Sequence, residues 1–336
     1  MSTNPINNER TLQQPIHSGY GPRTTAQEVI GDLDLSGQTA IVTGGYSGLG
    51  LEVSRVLAAA GARVIIPARS KEKAAAAEAA VPGAELESLD LADAESIHAF
   101  ASRFVASGRP LHLLINCAGI MAIPEQRDSR GFELQFATNH LGHFQLTAEL
   151  WPALTRAKNA RVVSVSSGAH KFSPVHFDDI QYHFRSYQKW EAYGQSKTAN
   201  ALFALELDQR GKAHGVRAFS VHPGSIVTDL SRHLSDEEMR GMGALNEQGR
   251  RAYTETNDER KTVPEGAATI IWCAVSKQLD GMGGVYCQNV DVAQFVQEDD
   301  QSQAGGSGVS PWAADLLSAA RLWSVSEELV GIRFAV

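Results

Sequence analysis

A chain of 336 residues with 43% hydrophobic and 20% charged residues holds ample material for a large core and is too apolar to be a disordered chain. Its formal net charge is −8 and its basic residues are scattered, which excludes a sustained cationic surface for a phosphate backbone, so nucleic acid is not an expected partner. No apolar run approaches the ~20 residues of a spanning helix, and Cys117, Cys273 and Cys287 lack zinc-ribbon or dithiol spacing, so the reading is a cytoplasmic protein with reduced thiols and no membrane partner.

Residues 1–36 show no apolar h-region and read as an N-terminal extension. From Gly37 onward, short β-branched runs alternate with longer amphipathic stretches, the pattern of βαβ units. Expected strands are TAIVTGG (39–45), RVIIP (63–67), ELESLD (85–90), LHLLINC (111–117), RVVSVSS (161–167), VRAFSVHP (216–223) and GGVYC (283–287). Helices are expected over 48–60, 70–80, 94–107, 132–154, 193–210 and 264–275, the last opened by Pro264 in its first turn. The fold class is therefore α/β: a doubly wound, parallel, seven-stranded Rossmann sheet with helices on both faces, and ligands outside the carboxyl ends of its strands. It occupies 37–292. Residues 231–263 form a polar excursion, and 293–336 a flexible link over 297–310 followed by a helix near 311–330 packed on the same domain.

TGGYSGLG (43–50) follows the first strand and opens the first helix, with Gly44, Gly48 and Gly50 spaced G-x-x-x-G-x-G. Glycine suits the tight turn, admits a pyrophosphate close to the backbone and leaves a helix N-terminus free for anionic oxygens, so a dinucleotide is expected here. An acidic residue about 20 positions later would hold the 2′-hydroxyl of NAD. Ala68 and Arg69 stand there instead, so a forked guanidinium can take a 2′-phosphate. NADP(H) is the preferred cofactor, NAD(H) the alternative, with Lys71 and Lys73 as lesser contributors.

YGQSK (193–197) puts a phenol and an ammonium four residues apart, one turn above the other on a helix. Tyr182 and Tyr187 have no such partner, since Ser186 and Glu191 stand four residues beyond them. Two unit charges about 4 Å apart at a dielectric near 20 interact by about 4 kcal/mol, roughly three pKa units. The spacing thus predicts that Lys197 brings the Tyr193 phenol towards neutrality, where it can act as acid and base.

With TGGYSGLG, NCAG (116–119), NHLGHF (139–144), VSVSS (163–167), YGQSK and HPG (222–224) in this order, the sequence resembles the short-chain dehydrogenase/reductase family over about Ser36 to Val292. NHLGHF, the long spacer before YGQSK and the late LWSVSEELVG helix are similar to the branch holding retinol dehydrogenases and WW-domain oxidoreductases. The resemblance implies a catalytic tetrad of Asn139, Ser167, Tyr193 and Lys197, with Ser166 as the neighbouring alternative to Ser167. It implies cofactor contacts from Gly44, Tyr46, Ser47, Gly48, Leu49 and Gly50, from Arg69, Asp90, Leu91, Asn116, Ala118 and Gly119, from Tyr193 and Lys197, and from Pro223, Gly224, Ile226 and Thr228. Asp90 falls to the adenine, Asn116 to strand positioning beside the cofactor and Thr228 to the nicotinamide end. By the family's mechanism Ser167 bonds the substrate oxygen, Lys197 also holds the cofactor ribose, and Asn139 anchors a water leading from Lys197 to solvent.

Three departures stand out: Cys117 replaces the commoner asparagine, the serine-to-tyrosine interval is 26 residues, and the membrane-anchoring N-terminus of vertebrate retinol dehydrogenases is missing. Eleven histidines raise a metal site, but His140 with His143 and His170 with His176 each lack a third ligand, so none is expected. The substrate is a small-molecule carbonyl or alcohol, medium-sized and partly apolar, walled by Met121, Ile123, the loop before Tyr193 and the excursion after Thr228 as a lid. His170, His176, Phe184, Tyr187 and Trp190 are loop candidates for that wall. Rival readings are a noncatalytic NADP-binding sensor, an NAD-preferring alcohol dehydrogenase and a nucleotide-sugar epimerase; homo-oligomerisation is left open.

Overall fold

The computed structural model describes residues 10–296 and 307–336, without the side chains of Lys71, Lys73 and Ala74. The arm 10–36 carries a short helix α1 (Ala26–Ile30), opened by a capping box between Thr25 and Glu28. Then follow β1 (Thr39–Val42), α2 (Gly48–Ala59), β2 (Arg63–Ala68), α3 (Lys71–Ala80), β3 (Glu85–Ser88), α4 (Ala94–Ala106) and β4 (Leu113–Asn116). A short helix α5 (Leu134–Phe136) runs through a π-turn (Ala137–Leu141) into α6 (Gly142–Ala157), followed by β5 (Ala160–Val165), α7 (Lys189–Gly211) and β6 (Val216–His222). The last elements are α8 (Asp236–Gly241), α9 (Val263–Val275), β7 (Val285–Gln288), β8 (Asp291–Val292) and α10 (Leu316–Val330).

The strand order is β3-β2-β1-β4-β5-β6-β7-β8. All neighbours run parallel, with registers such as Ala40↔Val64 and Val42↔Ile115, until β8 turns back antiparallel on β7 through Cys287↔Val292. The seven expected strands are all present. The eighth was not expected: two residues are too few to show a period. The order reverses between β1 and β4, which opens a crevice at their carboxyl ends.

Each face of the sheet buries an apolar stripe of helices. On one, Val53, Val56 and Leu57 of α2 and Ile270, Ile271 and Trp272 of α9 cover Val42, Ile66 and Ile115. On the other, Phe100 and Phe104 of α4, Phe144 and Leu150 of α6 and Phe203 of α7 cover Ile41, Ile65 and Leu114. Trp323 of α10 stacks between Phe203 (6.1 Å) and Phe334 (4.7 Å), so the late helix packs on this layer.

The arm binds the far edge of the sheet. The Gln13 amide donates to the Tyr286 and Ala293 carbonyls and accepts from the Tyr286 N–H, and the Asp291 carboxylate accepts from the N–H groups of Ile16 and Ser18. These bonds occupy backbone groups that an open edge strand would expose. Of the expected flexible link, 297–306 lies outside the described residues; Val309 bridges to Phe295 and the Ser310 N–H donates to His170 Nε2.

Candidate active site

The turn after β1 has the conformation its glycines were expected to supply. Gly44 (φ +69) and Gly48 (φ +53) lie in the left-handed region, and a Cβ on Gly50 would stand 2.4 Å from the Gly44 carbonyl oxygen. A Cβ on Gly44 would stand 3.0 Å from the Ala118 backbone, so this turn and NCAG are in contact. Ser47 precedes α2 without capping it with its side chain. The first amides of α2 thus border a cleft of about 1150 Å³ with no side-chain acceptor from Ser47.

Gly44, Tyr46, Ser47, Gly48, Leu49, Gly50, Arg69, Asp90, Leu91, Ala118, Gly119, Ser167, Tyr193, Lys197, Pro223, Gly224, Ile226 and Thr228 all line this cleft. Asn116 does not. It is buried at the end of β4, with its amide donating to Thr147 Oγ1 (3.3 Å), and so ties that strand end to α6. Arg69 is exposed at the end of β2, and Glu72 lines the same end, its carboxyl held below the usual range by a backbone N–H and the Ser70 hydroxyl. Lys71 begins α3, and neither it nor Lys73 has a described side chain.

Asn139 sits in the π-turn, fully buried one layer behind Gly119, whose Cβ would meet its Oδ1 at 3.1 Å. Its carboxamide accepts from Ile120 N–H (2.9 Å) and donates to the Ile120 carbonyl (3.0 Å) and Ser196 Oγ (2.9 Å). It therefore joins the loop after β4 to the helix carrying Tyr193 and Lys197. Of the two serines after β5, Ser166 spends its hydroxyl on the Lys197 carbonyl (2.7 Å), whereas Ser167 lines the cleft with Tyr193 and its hydroxyl works to lower the phenol.

The electrostatics differ from the expected ones. Burial pushes the Tyr193 phenol up to about 12, against the influence of the Ser167 hydroxyl. Burial likewise pushes Lys197 down to about 8, against the opposing influence of Cys117. The ammonium lies 5.6 Å from the centre of the Tyr193 ring and donates to the Val165 carbonyl (2.9 Å). The spacing did bring the two groups together, but desolvation of the phenolate outweighs an ammonium that is aimed elsewhere. Tyr193 is a neutral donor at pH 7. The Cys117 thiol, pushed up to about 11 by burial, is protonated and inert.

Residues 38–239 match the short chain dehydrogenase family. The chain belongs to the short-chain dehydrogenase family. It is 43% identical over 297 residues to a Streptomyces lividans protein named "Probable oxidoreductase", covering 87% of this chain and 97% of that one. Human retinol dehydrogenase 12 is 38% identical over 309 residues, 90% of this chain and 89% of the relative, which puts the dehydrogenase in the retinol dehydrogenase-like branch. An uncharacterised Mycobacterium paratuberculosis protein of solved structure superposes with a TM-score of 0.68 at 33% identity, over 92% of this chain and 98% of that one. A Pseudomonas aeruginosa RhlG/NADP active-site complex superposes at 0.56 and 25%, over 75% and 94%. The protein is thus an oxidoreductase acting on CH–OH or C=O groups of a small molecule with a nicotinamide dinucleotide.

Around Tyr193 the dehydrogenase cleft has an apolar wall, which forms its substrate chamber. Trp190 meets Phe172 and Tyr193 edge-on, with ring centres 6.2 and 6.3 Å apart. Met121, Met239, Met242 and Tyr253 complete the wall. The excursion supplies the last three, and its helix α8 is clasped to the start of α7 by Lys189 and Glu238 (2.6 Å). His222 of HPG bonds the Glu259 carboxylate (3.0 Å), which anchors the far end of the excursion to the cleft. Burial works to raise Glu259, but His222 and Lys261 hold it below the usual carboxylate range.

Several loop candidates do not reach the chamber. Phe184 is 89% exposed, His176 pairs with Glu191, and Tyr187 donates to the Ile123 carbonyl beneath the wall, leaving Trp190 as the loop candidate that lines it. His170 is buried, taking Ser310 N–H on Nε2 and pairing with the Ser167 carbonyl through Nδ1, and His140 pairs with Ser326 of α10. Among the described residues no cluster of His, Cys, Asp or Glu has a metal-holding arrangement, and no helix is long and apolar enough to cross a membrane.

Proposed function

We propose that this dehydrogenase reduces the carbonyl of a medium-sized, largely apolar substrate with NADPH, the reverse alcohol oxidation being accessible with NADP⁺ and NAD(H) serving as the weaker cofactor. The observation that carries this reading is the place of the Tyr193 phenol: it lines the same cleft as Ser167, Lys197 and the glycine turn, with Trp190 edge-on against its ring. A phenol pushed up to about 12 keeps its proton at pH 7 and can donate it to a carbonyl oxygen, with Ser167 as a second donor to the same oxygen.

The cofactor fits on its own evidence. The turn at Gly44, Gly48 and Gly50 admits close backbone approach, the first amides of α2 suit a pyrophosphate, and Asp90 and Leu91 border the adenine end. Arg69, directly after β2 in place of the acidic residue that would hold a ribose hydroxyl, supports NADP(H) over NAD(H), and the Glu72 carboxylate nearby tempers that preference. Bound NADPH supplies a hydride to the carbonyl carbon. Lys197 holds the ribose and provides positive charge, Thr228 borders the nicotinamide end, and Asn139 fixes the loop after β4 against α7.

A panel of aryl and alkyl aldehydes and ketones, assayed with NADPH and NADH, tests the reading. Tyr193→Phe should lower kcat by about 10²–10⁴-fold while the NADPH Kd stays within about twofold. NADPH binding with no turnover of any carbonyl would replace it with the noncatalytic sensor. Undiminished kcat in the variant would remove Tyr193 from the chemistry.

A further inference from the structure

His143 is fully buried, has no part in the chemistry above, and lies at the crossing of three segments that form the site. Its Nδ1 is 2.9 Å from the main-chain carbonyl of Asn139, and its Nε2 is 2.9 Å from Thr43 Oγ1 at the end of β1. Thr43 Oγ1 in turn accepts from the amides of Cys117 (2.9 Å) and Ala118 (3.0 Å), in the NCAG turn that touches Gly44.

Each proton in this chain has one consistent place. Burial pushes the ring down to about 4, against its bond to Asn139, so at neutral pH it carries one N–H. The Asn139 carbonyl can only accept, which puts that proton on Nδ1. Nε2 is then an acceptor and takes the Thr43 hydroxyl proton. That choice leaves the Ile115 carbonyl, 3.3 Å from Thr43 Oγ1, to its bond with the Thr43 amide (3.0 Å). Thr43 Oγ1 keeps its lone pairs for Cys117 and Ala118. The direction of donation is fixed from the cofactor-side turn to the π-turn.

We propose that His143 is a positioning residue whose single neutral tautomer locks the NCAG turn and the Asn139 π-turn to the end of β1, setting cofactor affinity through Thr43 and turnover through Asn139. The turnover arm rests on the tetrad reading above; the cofactor and tautomer arms do not.

The two bonds can be cut separately. In His143→Gln an oxygen can reach the place of Nε2 and accept from Thr43; in His143→Asn an amide N–H can take the place of Nδ1 and donate to Asn139. His143→Phe fills the space and removes both. The full-length chain is titrated with NADP⁺ by intrinsic fluorescence and assayed for kcat on the best carbonyl of the panel, with Tm recorded for every variant. Loss of a buried hydrogen-bond partner predicts about tenfold effects. His143→Phe should weaken NADP⁺ binding and lower kcat, each about tenfold. His143→Gln should recover binding but not kcat, and His143→Asn kcat but not binding. In ¹⁵N-histidine spectra of the wild type, assigned with these variants, His143 should show a protonated Nδ1, an unprotonated Nε2 and no titration between about pH 5 and 8.

A protonated Nε2, or Kd and kcat that follow Tm in all three variants without separating, overturns the proposal. Should His143→Phe fail to fold, the other two variants and the spectrum decide it. A wild type that turns over no carbonyl strikes the proposed function alone, and the NADP⁺ titrations and the tautomer still judge His143.

Discussion

Lys197→Met should make the protein more stable and inactive. Lys197 is only 4% exposed, and burial has moved it from 10.5 to about 8. At about 1.4 kcal/mol per pKa unit, holding it protonated in the folded state costs roughly 3 kcal/mol at pH 7. Methionine is of similar length, carries no charge and leaves no orphan, because the Val165 carbonyl keeps its second donor, Asn200 Nδ2 (3.1 Å). The net gain should be about 1–3 kcal/mol, raising Tm by roughly 2–4 °C for a chain of this length. Its pH dependence is diagnostic. The unfolded lysine binds its proton up to about 10.5 and the folded one only up to about 8, so wild-type stability rises with pH between these values and the cost fades. In urea unfolding at pH 7 and pH 10, the variant's advantage should be present at the first and fall below about 1 kcal/mol at the second. A variant no more stable than wild type at pH 7, or an advantage equal at both pH values, would show that Lys197 is not held as a costly buried cation.

Arg69→Ala should raise the Kd for NADPH about tenfold or more and leave that for NADH within about twofold; parallel titrations with both cofactors check this, and equal changes would refute the 2′-phosphate assignment. Gly50→Ala, whose Cβ falls 2.4 Å from the Gly44 carbonyl oxygen, should cost about 1–3 kcal/mol in urea unfolding and weaken both cofactors alike. Trp190→Ala should raise KM for bulky aryl ketones severalfold while sparing kcat for a small aldehyde; an unchanged KM would remove this ring from the substrate wall.

Much of the site was readable because its residues are pinned by local geometry. A strand followed by closely spaced glycines admits few conformations, and a Tyr and Lys four apart on one helix must share a face. The same reasoning could not see burial. It placed the ammonium beside the phenol but missed that desolvation would raise Tyr193 and that the Lys197 amine would donate to Val165. The π-turn was hidden because the apolar period over 132–154 passes through it unbroken. Met239, Met242 and Tyr253 were missed for another reason: they lie in an excursion without a period, although Ser235 and Glu238 carry the capping-box signature that begins α8.

The arm and the segment before α10 meet near the loop that carries Ser167. Arg10 donates to the Ala314 carbonyl, Ser310 N–H and Trp312 Nε1 both bond to His170, and the His170 ring pairs with the Ser167 carbonyl. For protein engineering this is a warning: trimming the gene to residues 37–292, the span that looks self-sufficient, would strip His170 of its Ser310 and Trp312 partners and bare the outermost strand. Attempts at a minimal enzyme should keep residues 10–36 and 307–336 as well.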